Sequence, residues 1–374
     1  MRILFINSIQ MWGGAEVWLM DVMHGLQARG HQVTLVCRPG TILEKNATSE
    51  GFEVFALHMR SDFDPVVIWK IMRVLHRKQI QVICTNMDKE LRCGGVAAKL
   101  AGNVAVIPSR EVDYPLKNKL RYRFTYNFLS DYILANSHST RKTLLQNAPW
   151  LDPNKIAVVY KGIDPRPYLD ELEQGAGLRR ELNLTPATPL VGFVGQIIER
   201  KGIRDIVQCI PIVAQQLPQV KFLFVGEGAL QDFLAAKTRE LGVTTQTIFT
   251  GFRKDIPAVM KAIEVLLLPS SVEGFGYVLI EAMAAARPVV ATNVSSIPEI
   301  VQHGATGLLV EVHRPQQLAQ AILRILQDEN LKRSMGQKGR ALMLEKFTLA
   351  RMVSQIEAIF LANARAKSHS ANNE

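Results

Sequence analysis

Cysteine is scarce in this chain, and what there is shows no pairing pattern. Four of the 374 residues are cysteine (Cys37, Cys84, Cys93, Cys209), with neither a CxxC pair nor metal-ligand spacing. That argues against a disulfide framework or a zinc module and fits reduced thiols in a cytoplasmic protein. No apolar run approaches the roughly 18 residues of a membrane span. The opening MRILFINS is too short for a secretory signal and reads as a first β-strand, so any membrane contact is expected to be peripheral. No cluster of His, Cys and Asp suggests a metal site. Also missing is the G-x-G-x-x-G fingerprint of a nicotinamide-dependent dehydrogenase, with its acidic residue about 20 positions on; MWGGAEVW does not supply it. What is present is a net charge of +10, seven of it on residues 1–180. This suits anionic small molecules or an anionic membrane surface. Nucleic acid is not an expected partner, because the basic residues form no known binding module.

Short β-branched runs alternate with helical patterns from end to end. In the first half the runs are RILFIN, QVTLVC, EVFAL, QVICTN, VAVIPS, DYILANS and KIAVVY; in the second they are PLVGFVG, VKFLFVG, TIFTG, EVLLLPS, PVVAT and TGLLV. Near-continuous apolar strands separated by helices predict parallel sheets covered on both faces. Between the two series, DPRPYLDELEQGAGLRRELNLTPATP is rich in Pro, Gly and charge and reads as a connection. The expected organisation is an α/β domain over 1–165, a linker over 166–188 and a second α/β domain over 189–347. A terminal helix over 348–365 would follow, able to lie against either domain, and then a disordered tail over 366–374. Two such Rossmann-like, doubly wound domains facing across a cleft would bind ligands at the carboxyl ends of their strands.

The stretch SSVEGFGYVLIEAMAAARPVVAT (270–292) carries the strongest chemical signal. From Tyr277 to Ala286 it is apolar on nearly every side, so it predicts a buried helix with one charge, Glu281. A lone buried carboxylate must be met by something. If Gly276 caps that helix, Gly274, Phe275 and Gly276 offer free backbone N–H groups at a positive dipole end, a phosphate site in outline. Glu281, leaning toward the N-terminus, could then take a ribose or sugar diol, with Glu273 at the same place. The structural alternative is a glycine turn in which Glu281 pairs with a buried Lys or Arg.

The Glu-x7-Glu spacing inside this stretch, followed by IPEIVQHGATGLLV, resembles the donor region of glycosyltransferase family 4, retaining enzymes of the GT-B fold. WGGAE (12–16) resembles the family's first glycine loop, VVYKGID its stretch after the last N-terminal strand, and GFVGQIIERKG its phosphate loop; FLFVGEG and FTGF match its next strand ends. The resemblance spans about residues 1–365. It implies that Glu281 holds the donor ribose, Glu273 the transferred sugar and Lys201 the diphosphate. Gly195, Gly226, Gly274, Phe275, Gly276 and Tyr277 would line the donor, and Phe252 and Arg253 would lie near the base. Gly13 and Gly14 would approach phosphate or acceptor. A cation fixed at the developing diphosphate charge is also what the chemistry asks for. Two departures stand out. Gln196 occupies a position where the family usually has arginine, with Arg200 the available replacement. Arg110 and Glu111 stand where many members have histidine, on the acceptor side.

DFD at 62–64 spells a metal-binding triplet of another glycosyltransferase fold. Before Pro65 and a helical pattern, however, Asp64 reads as a helix cap, and the family resemblance implies no metal or other cofactor. YPLKNKLRYRFTYNFL (114–129) has four cations, no acid and interleaved aromatics, which suits either an anionic membrane interface or a helix with a solvated face; residues 65–79 are a weaker candidate. The expectation is a retaining glycosyltransferase that moves a sugar from a UDP or GDP sugar to a glycan or lipid-linked acceptor, as in cell-surface polysaccharide synthesis. It would be cytoplasmic, on the cytoplasmic membrane face where peripheral. The rivals are a catalytically weak nucleotide-sugar-binding partner subunit, motivated by Gln196, and a dehydrogenase.

Overall fold

All thirteen strand runs form strands in the computed structural model, which describes residues 1–169 and 172–371. Two compact units result. One comprises residues 1–161 together with the chain from Leu349 onward; the other comprises Gly162–Thr348.

In the first unit the elements are β1 (Arg2–Asn7), α1 (Gly14–Ala28), β2 (Gln32–Cys37), α2 (Ile42–Ser49), β3 (Glu53–Ala56), α3 (Pro65–Lys78) and β4 (Val82–Thr85). They continue with α4 (Asp88–Ala101), β5 (Ala105–Arg110), α5 (Leu120–Phe128), β6 (Ile133–Ala135), α6 (His138–Asn147) and β7 (Ile156–Val158). The sheet is wholly parallel, in the order β3-β2-β1-β4-β5-β6-β7. Ile3 to Ile6 of the central strand are fully buried, as a strand covered on both faces requires. The order reverses between β1 and β4, and such a switch point opens a crevice at the strands' carboxyl ends.

The second unit begins with α7 (Arg166–Leu169) and α8 (Leu172–Glu181), then runs β8 (Leu190–Val194), α9 (Ile203–Gln216), β9 (Lys221–Val225), α10 (Gln231–Glu240), β10 (Thr247–Gly251), α11 (Ile256–Ala262) and β11 (Val265–Leu268). It closes with α12 (Tyr277–Ala284), β12 (Val289–Thr292), α13 (Ile297–Ile300), β13 (Gly307–Val310), α14 (Pro315–Gln327) and α15 (Glu329–Lys346). Its parallel sheet has the order β10-β9-β8-β11-β12-β13, so the switch point lies between β8 and β11.

Two expected boundaries are corrected. The stretch 166–188 is no linker: its described residues are largely helical and belong to the second unit. Its glycines look like flexibility in sequence, but a Cβ on Gly175 would stand 2.7 Å from the backbone of Lys261. That glycine lets α8 lie flush on α11, and Arg179 Nε fastens the pair by donating to the Ala262 carbonyl at 2.8 Å. The tail expected to be disordered from 366 is helical as far as Ala371, as the end of α16 (Leu349–Ala371); residues 372–374 lie outside those described. α16 belongs to the first unit. Val353 fills the notch that Gly25 leaves on α1, Phe360 meets Phe5 at 6.3 Å between ring centroids, and Glu357 pairs with both His31 and Arg29 at 2.6 Å. Lys367, beyond the expected end, reaches Asp131 at 2.7 Å.

Candidate active site

In the second unit the chemistry gathers at the switch point between β8 and β11. A short 3-10 turn, Glu199–Lys201, follows β8, and the segment 270–276 follows β11. Close backbone approach holds the two together. Gly202 has φ +70°, and a Cβ there would lie 2.0 Å from the Pro269 carbonyl oxygen, so only glycine fits. Ser271 N donates to the Arg200 carbonyl at 2.9 Å. The result is an ion pair between Lys201 Nζ and Glu273 Oε2 at 2.6 Å, with side chains only 12% and 9% exposed. Ser270 Oγ donates to the same carboxylate oxygen at 3.2 Å.

The loop after β12 clamps this arrangement. Ser295 has φ +47°, a conformation that costs a non-glycine residue energy; its hydroxyl accepts from Glu273 N at 3.4 Å. Fully buried Ser296 presents its hydroxyl to the carbonyls of Gly274 (3.1 Å) and Phe275 (3.2 Å). Turning those carbonyls inward fixes the peptide planes before α12. Gly276 caps that helix at φ +90°, as expected. Glu281, one turn inside, is half-buried, and Tyr168 OH donates to its Oε1 at 3.1 Å.

The remaining donor-side residues divide. Gly195 and Gly226 follow β8 and β9; a Cβ on Gly226, at φ +132°, would strike the Gly195 carbonyl at 2.0 Å, so the two loops touch through backbone. Gln196 is exposed, and the half-exposed Arg200 guanidinium has no hydrogen bond or ion pair among the described residues. Phe275 is 2% exposed and packs edge-on against Tyr277 and Phe347, so what it offers a ligand is its backbone, the group for which the sequence singled it out. Phe252 is 65% exposed. Beside it, the Arg253 guanidinium is forked between Asp255 (2.7 and 2.8 Å) and Glu181 (2.6 and 3.1 Å). Asp255 first and Glu181 next hold its pKa well above the ordinary range, and both carboxyls are drawn down by it.

In the first unit Gly13 caps α1, and its N–H donates at 3.0 Å to Glu16, which also accepts from Asn7 Nδ2 at 3.1 Å. Burial pushes the Glu16 carboxyl up. Gly14 opens the helix. Glu90, fully buried, closes the start of α4 by accepting from Asn86 N (2.8 Å), Met87 N (2.9 Å) and Ser8 N; burial raises it to about 7. Glu111 is engaged within the protein: its carboxylate pairs with Lys161 at 2.5 Å, both side chains being nearly buried. Arg110 is less well held. Its contacts to Asp88 Oδ1 (3.3 Å), Tyr126 OH (3.2 Å) and the Tyr114 carbonyl (3.3 Å) are all long, whereas Tyr126 takes Asp88 at 2.6 Å. Among the described residues Arg110 Nε, Thr85 Oγ1, both side-chain polar atoms of Asn86 and Asp113 Oδ1 are buried without a partner. A buried polar atom left so costs about 1–3 kcal/mol.

Asp64 is a cap, accepting from Val66 N (3.1 Å) and Val67 N (3.2 Å), and Asp62 bridges Arg92 and Arg121 at 2.8 Å each. Among the described residues no group of His, Cys, Asp and Glu is arranged to hold a metal, and no helix is long and apolar enough to cross a membrane. α5 has two faces: Tyr122, Thr125 and Tyr126 are buried, while Leu120, Phe124 and Phe128 are 82, 44 and 54% exposed. Phe124 stacks on Phe128 at 5.1 Å.

Comparison with known proteins turns this geometry into an assignment. A family model described as "Glycosyl transferases group 1" matches residues 177–342, and one described as "Glycosyltransferase Family 4" matches residues 12–166. N-acetyl-alpha-D-glucosaminyl L-malate synthase of Bacillus anthracis is 31% identical over 372 residues, covering 93% of each chain. The chain belongs to glycosyltransferase family 4. The lipopolysaccharide core biosynthesis glycosyltransferase LpsE of Rhizobium meliloti is 24% identical over 338 residues, 90% of this family 4 chain and 92% of LpsE. Anabaena HepE, solved in complex with UDP, superposes with a TM-score of 0.86 at 24% identity over 97% of this chain and 100% of its own, which shows the shared GT-B fold. As a family 4 member the protein is a glycosyltransferase, and the dehydrogenase rival falls.

Some site residues escaped the sequence. Lys161 was in view inside VVYKGID, and Asn86 ends the run QVICTN; either could have been weighed as a polar residue at a strand end. Tyr168 and Ser296 gave no local signal, since their partners lie 113 and 21 or 22 residues away.

Proposed function

We propose that this glycosyltransferase takes a sugar from a nucleotide-sugar donor, uridine or guanosine based, and passes it with retention to a glycan or lipid-linked acceptor without a metal. The carrying observation is the Lys201–Glu273 pair at the second unit's switch point. A half-buried lysine held beside a glycine-lined turn is suited to meet the charge that develops on a departing diphosphate, and Glu273, relieved of Lys201, is free to accept from sugar hydroxyls. Glu281, oriented by Tyr168, suits a ribose diol. HepE has been solved with UDP and with UDP-glucose, which supports a uridine donor first. The leaving diphosphate's own oxygen would take the acceptor proton, with front-side attack as the family resemblance implies. Gly13, Gly14 and Arg110 would serve the acceptor. The cytoplasmic membrane face suits the exposed Leu120, Phe124 and Phe128 stripe, which lies among Lys117, Lys119, Arg121 and Arg123.

The test is thermal stability against UDP, GDP, ADP and their common sugars, with and without a chelator. A ligand at a hundred times its Kd adds roughly 2.7 kcal/mol. Stabilisation by one base, insensitive to the chelator and lost in Glu281→Ala, is the expected result. No shift with any nucleotide would overturn the donor reading and favour a binding-partner role, for which exposed Gln196 is the motive.

A further inference from the structure

Glu90 does more than a helix cap requires. It is the third residue of α4, where a glutamate accepting from the N–H groups of Asn86 and Met87 closes the helix start. An exposed carboxylate closes a helix start equally well, whereas this one is fully buried, which opposes its charge. Its other oxygen, Oε1, accepts from Ser8 N, 82 positions away in the loop after β1. That bond adds nothing to α4 and fixes the loop.

Glu16 is placed alike, third in α1 and 3% exposed, and takes Gly13 N and Asn7 Nδ2. Asn7 Oδ1 in turn accepts from Ile9 N at 2.9 Å. Residues 8–13 are thus held at both ends, by carboxylates from the helices that follow the two strands at the switch point. In between, the backbone N–H groups of Gln10, Met11 and Trp12 donate to nothing among the described residues, so the ends alone set the loop's course toward Gly13 and Gly14.

The tie to Ser8 depends on charge. Oε2 takes two donors and Oε1 one, so a proton on Glu90 goes to Oε1 and points its O–H at the Ser8 N–H. Protonation loosens the loop and leaves the cap. The neighbouring ionisable groups are the Cys84 thiol on β4, which burial keeps protonated, Glu111 beyond β5, paired with Lys161, and Asp88 on α4, engaged by Tyr126 and Arg110. On α1, Glu16 is pushed up by burial as Glu90 is. No cation contacts Glu90 among the described residues, and burial brings its carboxyl to about 7.

We propose that Glu90 is a positioning residue for the glycosyl transfer: through the Ser8 N–H its ionised carboxylate ties the glycine loop to α4 and so sets Gly13 and Gly14. This rests on the reading given above for those two glycines and names the group that orients them.

The test uses the full chain and Glu90→Gln, whose amide oxygen can serve Asn86 and Met87 while its NH2 faces Ser8. Hydrogen exchange, corrected for the intrinsic rate at each pH, is followed by mass spectrometry in peptides that cover Ser8. Protection there is expected to fall about tenfold from pH 8 to pH 6 in the wild type and to be low at both in the variant, with residues 88–101 protected in both chains. Hydrolysis of UDP-glucose and GDP-mannose is followed over the same range. The wild-type kcat is expected to rise with pH, and that of Glu90→Gln to stay flat, about fivefold lower at pH 8 with donor KM unchanged. Unchanged Ser8 protection in the variant would overturn the proposal. So would protection lost together with that of residues 88–101, which would make Glu90 structural, or a pH response that persists in Glu90→Gln, which would place the titrating group elsewhere. Donors hydrolysed equally by both chains at every pH would overturn the positioning role and leave the donor reading standing. No hydrolysis of either sugar and no stabilisation by either nucleotide would remove the donor reading and the positioning role with it.

Discussion

The two switch points share a topology and differ in how far their polar groups are satisfied. In the second unit Lys201 has Glu273, Glu273 has Ser270, Ser296 holds two carbonyls and Glu281 has Tyr168, while the half-exposed Arg200 guanidinium stays unpaired among the described residues. In the first, the Asn86 side-chain amide is without a partner among the described residues, and Arg110 makes only long contacts. A site whose charges are already paired is rigid before its ligand arrives, so the ligand has to exchange with an internal partner. One with unsatisfied groups gains those hydrogen bonds only on binding. Stiffness therefore suits the invariant part of a reaction and open valence suits the part that varies. Under the proposed function a nucleotide sugar would take the first kind of site and an acceptor the second.

The comparison is sharpest at Lys201. Lys201→Ala is expected to lower turnover on the order of a hundredfold or more, read as donor consumed per enzyme, and to lower the melting temperature because Glu273 is left buried without its cation. Adding Glu273→Gln should restore the melting temperature and leave turnover low; near-wild-type turnover in either variant would remove Lys201 from the chemistry. Next comes Glu273→Gln alone. If the pair must open for the diphosphate, calorimetry should find the nucleoside diphosphate bound several-fold more tightly while turnover falls. Weaker binding would mean that the pair does not compete with ligand.

A smaller effect is expected at Ser296. Its truncation to Ala removes a buried donor worth about 1 kcal/mol, so nucleoside diphosphate affinity should fall about fivefold; an unchanged Kd would show that the loop 274–275 holds itself. The smallest belongs to the first unit. Glu90 binds its proton more tightly folded than unfolded, about 7 against an ordinary 4.5. Its contribution to stability is thus complete below pH 4.5 and lost as pH rises through 7. Melting temperatures of wild type and Glu90→Gln should diverge between pH 5 and 8, with the wild type losing ground; parallel curves would mean Glu90 is ionised throughout.

The strands were legible because a strand covered on both faces must be apolar along its length, and runs such as RILFIN and TIFTG are read correctly to the residue. The cap at Asp64 and the turn at Gly276 were legible for the same local reason, since the group and the backbone atoms it serves are within three residues. The segment 166–188 misled because glycine and proline mean flexibility only when nothing packs against them, and Gly175 meets α11.

Sequence alone, through period and composition, determined two parallel α/β units and the Glu-x7-Glu helix start, since alternation and capping are short-range effects. Only the tertiary structure decided which charges meet. Lys201 with Glu273, Lys161 with Glu111 and Tyr168 with Glu281 are separated by 72, 50 and 113 positions. A parallel sheet brings strand ends together at one edge whatever their distance along the chain, so partnership there follows strand order, which local pattern does not encode.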